Sequence, residues 1–367
     1  MNALTRESKM SDNLASKQAS KQASKQASKQ ASEQARNRTL DIYKGLLIIL
    51  VVIRHVLQYS VTDEGGILTN IIWAIQMPGF MLVSGYFSVR KIENMHELSK
   101  RIVNLMQHYS LPFLSWWFLI NVLLLGGFDR NVLTAANHIA FHVDSGMWFL
   151  WVVFILSIVV TICNYISSRN TAYHAVKTAT AALVMLGILG IIGILFGIRF
   201  IGIKFILYYS VFYGSGYLLR KTQDIWKQFI DKYSGWIVFI ALICFATVVF
   251  NNDLYHCEDD FVSIALRCIA GFSGNIVLLW IANKYKEIFE RVRLDRIGLY
   301  TLEIYTTHMY VNGLMGAGNT SEFFTVTGFA NFTVSLILTI VFTVILTMII
   351  KSIPYANFLL YGKRESN

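Results

Sequence analysis

Between Arg38 and Ser60 the chain reads RTLDIYKGLLIILVVIRHVLQYS. Residues 40–60 are long enough to cross a bilayer, because a helix needs about 20 mostly apolar residues to span the hydrocarbon core. The stretch nevertheless carries Asp41, Lys44, Arg54 and His55. Ionisable groups inside a span are costly and as a rule face a protein interior or a wet cavity. Such a helix belongs inside a bundle, and the rest of the chain supplies one. Further apolar runs lie at 67–89, 109–127, 147–167, 178–197, 199–219, 233–250, 261–283, 298–316 and 329–350, which makes about ten spans.

Composition agrees. Of 367 residues, 55% are hydrophobic and only 15% charged, and the mean hydropathy is +0.50. A soluble domain carries about 25% charged residues, so this chain lacks the charge to cover a water-facing surface. The four cysteines, Cys163, Cys244, Cys257 and Cys268, show neither CxxC nor metal-ligand spacing, and no metal site is expected. The net charge of +10 is read through its distribution, not as a nucleic-acid signature. The N-terminal tail is basic; Arg90, Lys91, Lys100 and Arg101 follow the second span, and Arg169 and Lys177 the fourth. Arg220, Lys221, Lys227 and Lys232 follow the sixth, Lys284, Lys286, Arg291, Arg293 and Arg296 the eighth, and Lys351, Lys363 and Arg364 the last. The alternate loops hold Asp63 and Glu64, then Asp129 and Asp144, then Asp253, Glu258, Asp259 and Asp260, and finally Glu322. The positive-inside rule therefore predicts both termini in the cytoplasm of a multi-pass membrane protein. The expected architecture is all-α: a tail at 1–36, a transmembrane domain at 37–355 and a C-terminal cytoplasmic tail at 356–367.

Along the first span, His55 lies eleven residues beyond Lys44, which places it only ~20° around the helix and ~16 Å along it. Asp41 shares the stripe. An acid and a base near one mouth, followed by a deep imidazole, suit transfer of a group from a charged donor to an acceptor on the far side. Near-neutral histidine can take a proton from a hydroxyl during attack on a thioester.

The stretch Arg38–His55 resembles the first helix of the family-3 membrane acyltransferases, whose signature of Arg or Lys, ten residues, then His fits Lys44 with His55. MPGFMLVSGYF (Met77–Phe87) resembles that family's second helix. Lys100, Arg101 and Pro112 resemble its basic stretch before a proline-started third helix. Trp148-Phe149-Leu150 resembles a later helix opening, and IYTTHMYV (Ile304–Val311) its late Tyr-then-His helix. The likeness runs from residue 36 to about 355 and is greatest to the branch that acylates sugar hydroxyls. Two features depart from the pattern: Arg54 immediately precedes the histidine, and the basic stretch is not a clean double arginine.

The resemblance implies acetyl-CoA as donor and a hydroxyl of an envelope glycan or glycolipid as acceptor. It makes His55 the general base or a transient acyl carrier, with Asp41 and Lys44 orienting it. Lys44, Lys100, Arg101 and Arg38 would hold the donor, while Arg54, Ser84, Tyr86, Trp148, Glu303, Tyr305 and His308 would line the substrate cavity. No fused esterase-like domain is expected. Glu303 is expected to pair with Arg267 or Lys204, and Trp116, Trp117, Trp148 and Trp151 to anchor the interface. His138, His142 and Asp144 are outer candidates for sugar contact, against the plainer reading of a solvated loop. The rival readings are an exporter of a glycan or small anion and a non-catalytic protein on the same scaffold. An exporter calls for matched broken helices in two halves, which Pro78, Pro112 and Pro354 do not provide.

From Ser16 the tail reads SKQA four times and then SEQA. It has no apolar stripe to dock and is expected to be solvated and disordered. Read as AGC-AAG-CAA-GCA, the repeat is three copies of the tetranucleotide AGCA, and every reading frame through it encodes the same cyclic peptide. Gain or loss of one unit would shift the frame of everything downstream, an on–off switch suited to a gene that modifies the cell surface. Sequencing the gene checks this: an unbroken AGCA tract is expected, and mixed synonymous codons would refute it.

Overall fold

A computed structural model describes residues 37–120, 132–143, 146–168, 174–257, 260–315 and 321–363. The expected tail at 1–36 lies outside them, as do Asp129, Asp144, Arg169, Glu258, Asp259 and Arg364. Among the described residues there is no strand. The helices are α1 (Arg38–Ser60), α2 (Ile67–Tyr86), α3 (Met95–Leu105), α4 (Leu111–Phe118), α5 (Val132–Phe141), α6 (Trp148–Ser168), α7 (His174–Phe196) and α8 (Ile203–Lys221). They continue with α9 (Gln223–Asn251), α10 (Phe261–Lys284), the short α11 (Lys286–Arg291) and α12 (Leu294–Ile297), α13 (Thr301–Met315), α14 (Val326–Ser352) and α15 (Pro354–Tyr361).

The all-α polytopic bundle is borne out. Each expected span falls on a helix in its described part, and six helices are long and apolar enough to cross a membrane on composition alone: those at 67–86, 148–167, 176–196, 232–251, 261–284 and 326–352. α1 and α8 carry charges that lower their hydropathy, and α13 is 15 residues long in its described part. Charge and burial sort the helices. α7 exposes Leu183, Ile191, Ile194 and Leu195, as a helix apolar all round does against lipid. α1 buries Asp41, Ile42, Leu47, Val51, Arg54 and Leu57 and packs against α2, α10, α12, α13 and α14.

Small residues set the closest approaches. A Cβ on Gly85 would stand 1.9 Å from the Tyr213 carbonyl oxygen, and one on Gly216 would stand 2.0 Å from that of Leu82. α2 and α8 therefore cross backbone to backbone, as membrane helices do where van der Waals packing replaces the hydrophobic drive. Gly298 does the same beside α1, where a Cβ would lie 1.8 Å from the Asp41 carbonyl oxygen. Pro78 interrupts the hydrogen bonding of α2. Nearby, the Asn275 amide of α10 donates to the Ile75 carbonyl at 3.0 Å, so a neighbouring helix supplies a partner for backbone that water cannot reach. The same Asn275 accepts from the Tyr43 hydroxyl of α1, which ties three helices at one side chain.

Residues 356–361, read from sequence as the start of a tail, belong to α15. Its Tyr361 is fully buried and shares a 2.7 Å hydroxyl–hydroxyl hydrogen bond with Thr307 of α13. Trp116 of α4 donates to the Leu360 carbonyl at 2.9 Å.

Gly216→Val should lower the thermal midpoint of the detergent-purified protein by more than ordinary overpacking, which costs about 1–3 kcal/mol, because the obstacle is backbone. Gly214→Ala, whose added Cβ meets nothing within 4 Å, should leave it unchanged or slightly raised. Equal midpoints for the two would contradict the packing.

Candidate active site

The first helix carries both ends of the site. At its start Asn37 caps the Leu40 N–H, and Asp41, only 4% exposed, pairs with Lys44 at 2.7 Å, one turn on. The Lys44 ammonium also stands 5.9 Å from the Phe87 ring centroid, so the start of α1 meets the end of α2. Next to Phe87, the Tyr86 hydroxyl donates to Gln223 at 3.3 Å and accepts from Arg220 at 3.2 Å. Ser84 is half-buried one turn before. Arg38 reaches Glu290 at 3.7 Å. On α3, an amphipathic helix, Lys100 is exposed and Arg101 half-buried. Burial, with the Arg90 guanidinium beside it, holds the Arg101 pKa below its ordinary value. The cations Lys44 of α1 and Arg220 of α8 thus meet at the Tyr86–Phe87 end of α2, a setting suited to polyanionic phosphate.

Deeper along α1, His55 faces His308 of α13, with ring centroids 5.2 Å apart and planes inclined at 53°. His308 Nδ1 lies 2.7 Å from the Ile304 carbonyl oxygen. A carbonyl only accepts, so Nδ1 carries the hydrogen and Nε2 of the neutral ring holds the lone pair. Both His308 Nε2 and His55 Nδ1 are buried without a hydrogen-bond partner. Buried polar atoms are as a rule paired; these two, among several unpartnered atoms in the bundle, sit on facing rings. Tyr305 shares the His308 face, its ring 6.1 Å away, and packs edge-on against Phe149 at 5.5 Å. Arg54 turns outward from this pair: 3% exposed, it pairs with Glu64 at 3.0 Å and stacks over Tyr255 at 4.6 Å. Its place beside the histidine serves the outer end of α1.

Three expectations need correcting. Glu303 meets neither Arg267 nor Lys204; it is fully buried, bonds Lys363 and lies 3.9 Å from Lys351. The partners arrive because α14 and α15 bring the end of the chain back to α13. Arg267 instead donates to the carbonyls of Leu254 and Cys257. Trp116 is no interfacial anchor: it is buried and stacked on Tyr310 at 4.4 Å. Trp148 stacks between Phe205 and Tyr209, at 4.8 and 5.2 Å, as a packing residue of α6 and α8. On α5, His138 and His142 lie ring to ring at 5.1 Å; Asp144 is outside the described residues. Among those residues no three His, Cys, Asp or Glu side chains cluster as a metal site. Lys351, Lys363, Glu64 and Tyr255 were missed as site neighbours, since their only sequence signal was loop charge or loop position.

The acyltransferase-domain profile matches residues 37–348, most of the chain. The protein belongs to the family-3 acyltransferases. Two curated relatives are each called nodulation protein NolL. That of Sinorhizobium fredii is 25% identical over 59% of this chain and 60% of its own length, short of two thirds of that relative. That of Mesorhizobium japonicum is 25% identical over 89% of this chain and 90% of its own. No solved structure matches significantly. An acyltransferase needs an acyl donor and an acceptor to meet, and in this bundle one deep imidazole, His55, and the cations Arg38 and Lys44 lie on α1.

Glu303→Gln tests the C-terminal clasp of this acyltransferase. The lysine partners are about a third exposed, so the loss should be about 1–2 kcal/mol, below the 3–5 of a fully buried pair. Proteolysis within 354–363 should quicken; an unchanged cleavage rate and midpoint would dismiss the clasp.

Proposed function

We propose that this protein is an integral membrane O-acetyltransferase of the bacterial inner membrane. It takes acetyl from cytoplasmic acetyl-CoA and places it on a hydroxyl of an envelope glycan, best a lipopolysaccharide or lipooligosaccharide sugar, with expression switched by slippage in the SKQA-encoding repeat. The observation that carries the reading is the facing pair His55 and His308, each with a buried, unpartnered ring nitrogen, eleven residues along α1 from Lys44. The topology read from loop charges puts the Lys44 end at the cytoplasm.

In this reading Lys44, held by Asp41, and the guanidiniums of Arg38 and Arg101, with Lys100 beside them, neutralise donor phosphates. The acceptor hydroxyl gives its proton to an imidazole as its oxygen attacks the thioester carbonyl; the carbon–sulfur bond breaks and the thiolate leaves, taking up a proton. Two routes share these groups: direct attack with His55 as general base, or prior acylation of His55 followed by transfer to the hydroxyl. In the second route His308 Nε2, a fixed acceptor, can take the acceptor's proton that His55 cannot hold while bonded to the acyl group; in the first, His55 takes it directly. Burial among aliphatic and aromatic side chains keeps water from competing as the acceptor.

Envelope glycans from cells carrying wild-type protein should show a mass gain of one acetyl group, lost in cells without the gene. Removal of a general base typically costs 10²–10⁴-fold, so His55→Ala should abolish the modification at unchanged protein level. His308→Ala should reduce it, and Lys44→Ala should raise the half-saturating concentration of acetyl-CoA. Retained acetylation in His55→Ala would refute the mechanism. An unmodified glycan whose surface level follows the gene would instead support export.

A further inference from the structure

The loop from Asn252 to Cys257, between α9 and α10, is held by three polar side chains that the membrane interior makes expensive. Asn70 donates to the carbonyls of Val249 and Asn252 at 2.9 and 2.7 Å and accepts from the Leu254 N–H at 2.8 Å. Arg267 donates to the carbonyls of Leu254 and Cys257 at 3.1 and 2.7 Å, and Arg54 stacks on Tyr255. All three are buried. Buried polar groups of this kind are high in cost and rigidify what they hold.

What they hold is one wall of a cavity of about 440 Å³, whose polar lining is Asn251, Asn252, Asp253, His256 and Ser263. The lining is rich in acceptors. Asn251 and Asn252 donate their amide hydrogens to the Thr247 and Val248 carbonyls, which leaves their amide oxygens. The Asp253 carboxylate takes the Tyr255 and His256 N–H groups and lies 2.8 Å from His256 Nδ1, which leaves Nε2 of a neutral ring as an acceptor. Such a wall matches a ligand that presents hydroxyl hydrogens. Aromatic surface adjoins: Tyr255 meets Trp73 edge-on at 6.3 Å. The loop is joined to Arg54, the residue next to His55, through Tyr255.

We propose that this cavity is a docking subsite for a hydroxyl-rich glycan; its part as the acceptor's foothold rests on the transferase reading above. Asp253 and His256 are positioning residues for the acceptor, about two-thirds exposed, so their loss should not unfold the protein.

Detergent-purified protein is titrated with delipidated oligosaccharide released from the envelope of the same strain lacking the gene, and read by saturation-transfer NMR. Asp253→Ala and His256→Ala should each weaken binding about fivefold, the effect of one lost hydrogen bond. Leu242→Ala, on the exposed side of α9, should bind as wild type does. In membranes, the same two variants should raise the half-saturating oligosaccharide concentration by a similar factor and leave that of acetyl-CoA unchanged. No saturation transfer with wild type, or equal transfer with both variants, overturns the subsite. Binding that depends on Asp253 and His256, in a protein whose membranes acetylate no glycan, upholds the subsite and removes the transferase reading.

Discussion

A charged group in a bilayer must be enclosed, and α1 carries Arg38, Asp41, Lys44, Arg54 and His55 through one. That cost places α1 among α2, α10, α12, α13 and α14. Enclosure then decides the neighbours. Gly298 lets the chain before α13 lie against the Asp41 backbone, Tyr43 reaches Asn275 of α10, and α13 brings His308 to His55. α7, whose ionisable residues are confined to its first turn, is left with its apolar side chains exposed.

The same economy governs the polar atoms. In α2 the backbone loosened at Pro78 finds Asn275, and in the outer loop the carbonyls of Leu254 and Cys257 find Arg267. Among the buried side-chain atoms that lack a partner, two imidazole nitrogens lie on facing rings. A group transfer needs such atoms: a lone pair already spent on the protein cannot take a proton from a substrate. The clasp of Lys363 on Glu303 lies on α13 as well, one turn before Thr307 and His308, so the end of the chain helps hold the helix that presents the second imidazole.

Much of the bundle was legible in the chain because hydropathy and loop charge are local sums over residues. The stripe Asp41–Lys44–His55 was legible for the same reason, since helical geometry fixes the angle between residues on one helix. Pairings between helices were not. Glu303 looked matched to Arg267 or Lys204 because those are charges in other spans, yet the fold offers Lys363, counted in the sequence as part of a tail. Trp116 looked like an interfacial anchor by type; its burial under Leu360 follows from the return of α15. The outer loop between α9 and α10 read only as acidic, since nothing in its own residues announces that Asn70, 179 and 182 positions before its partners, will bond it.

The sequence by itself determined that this is a membrane-embedded helical protein with an acid, a base and an imidazole on one helix, because solvent transfer and helical repeat are properties of contiguous residues. Only the tertiary structure decided which ring faces His55, which lysines neutralise Glu303 and where the outer loop is pinned. Those outcomes depend on how close two backbones approach, which is set by glycines at the crossings and the need of every buried polar atom for a partner, often hundreds of residues away.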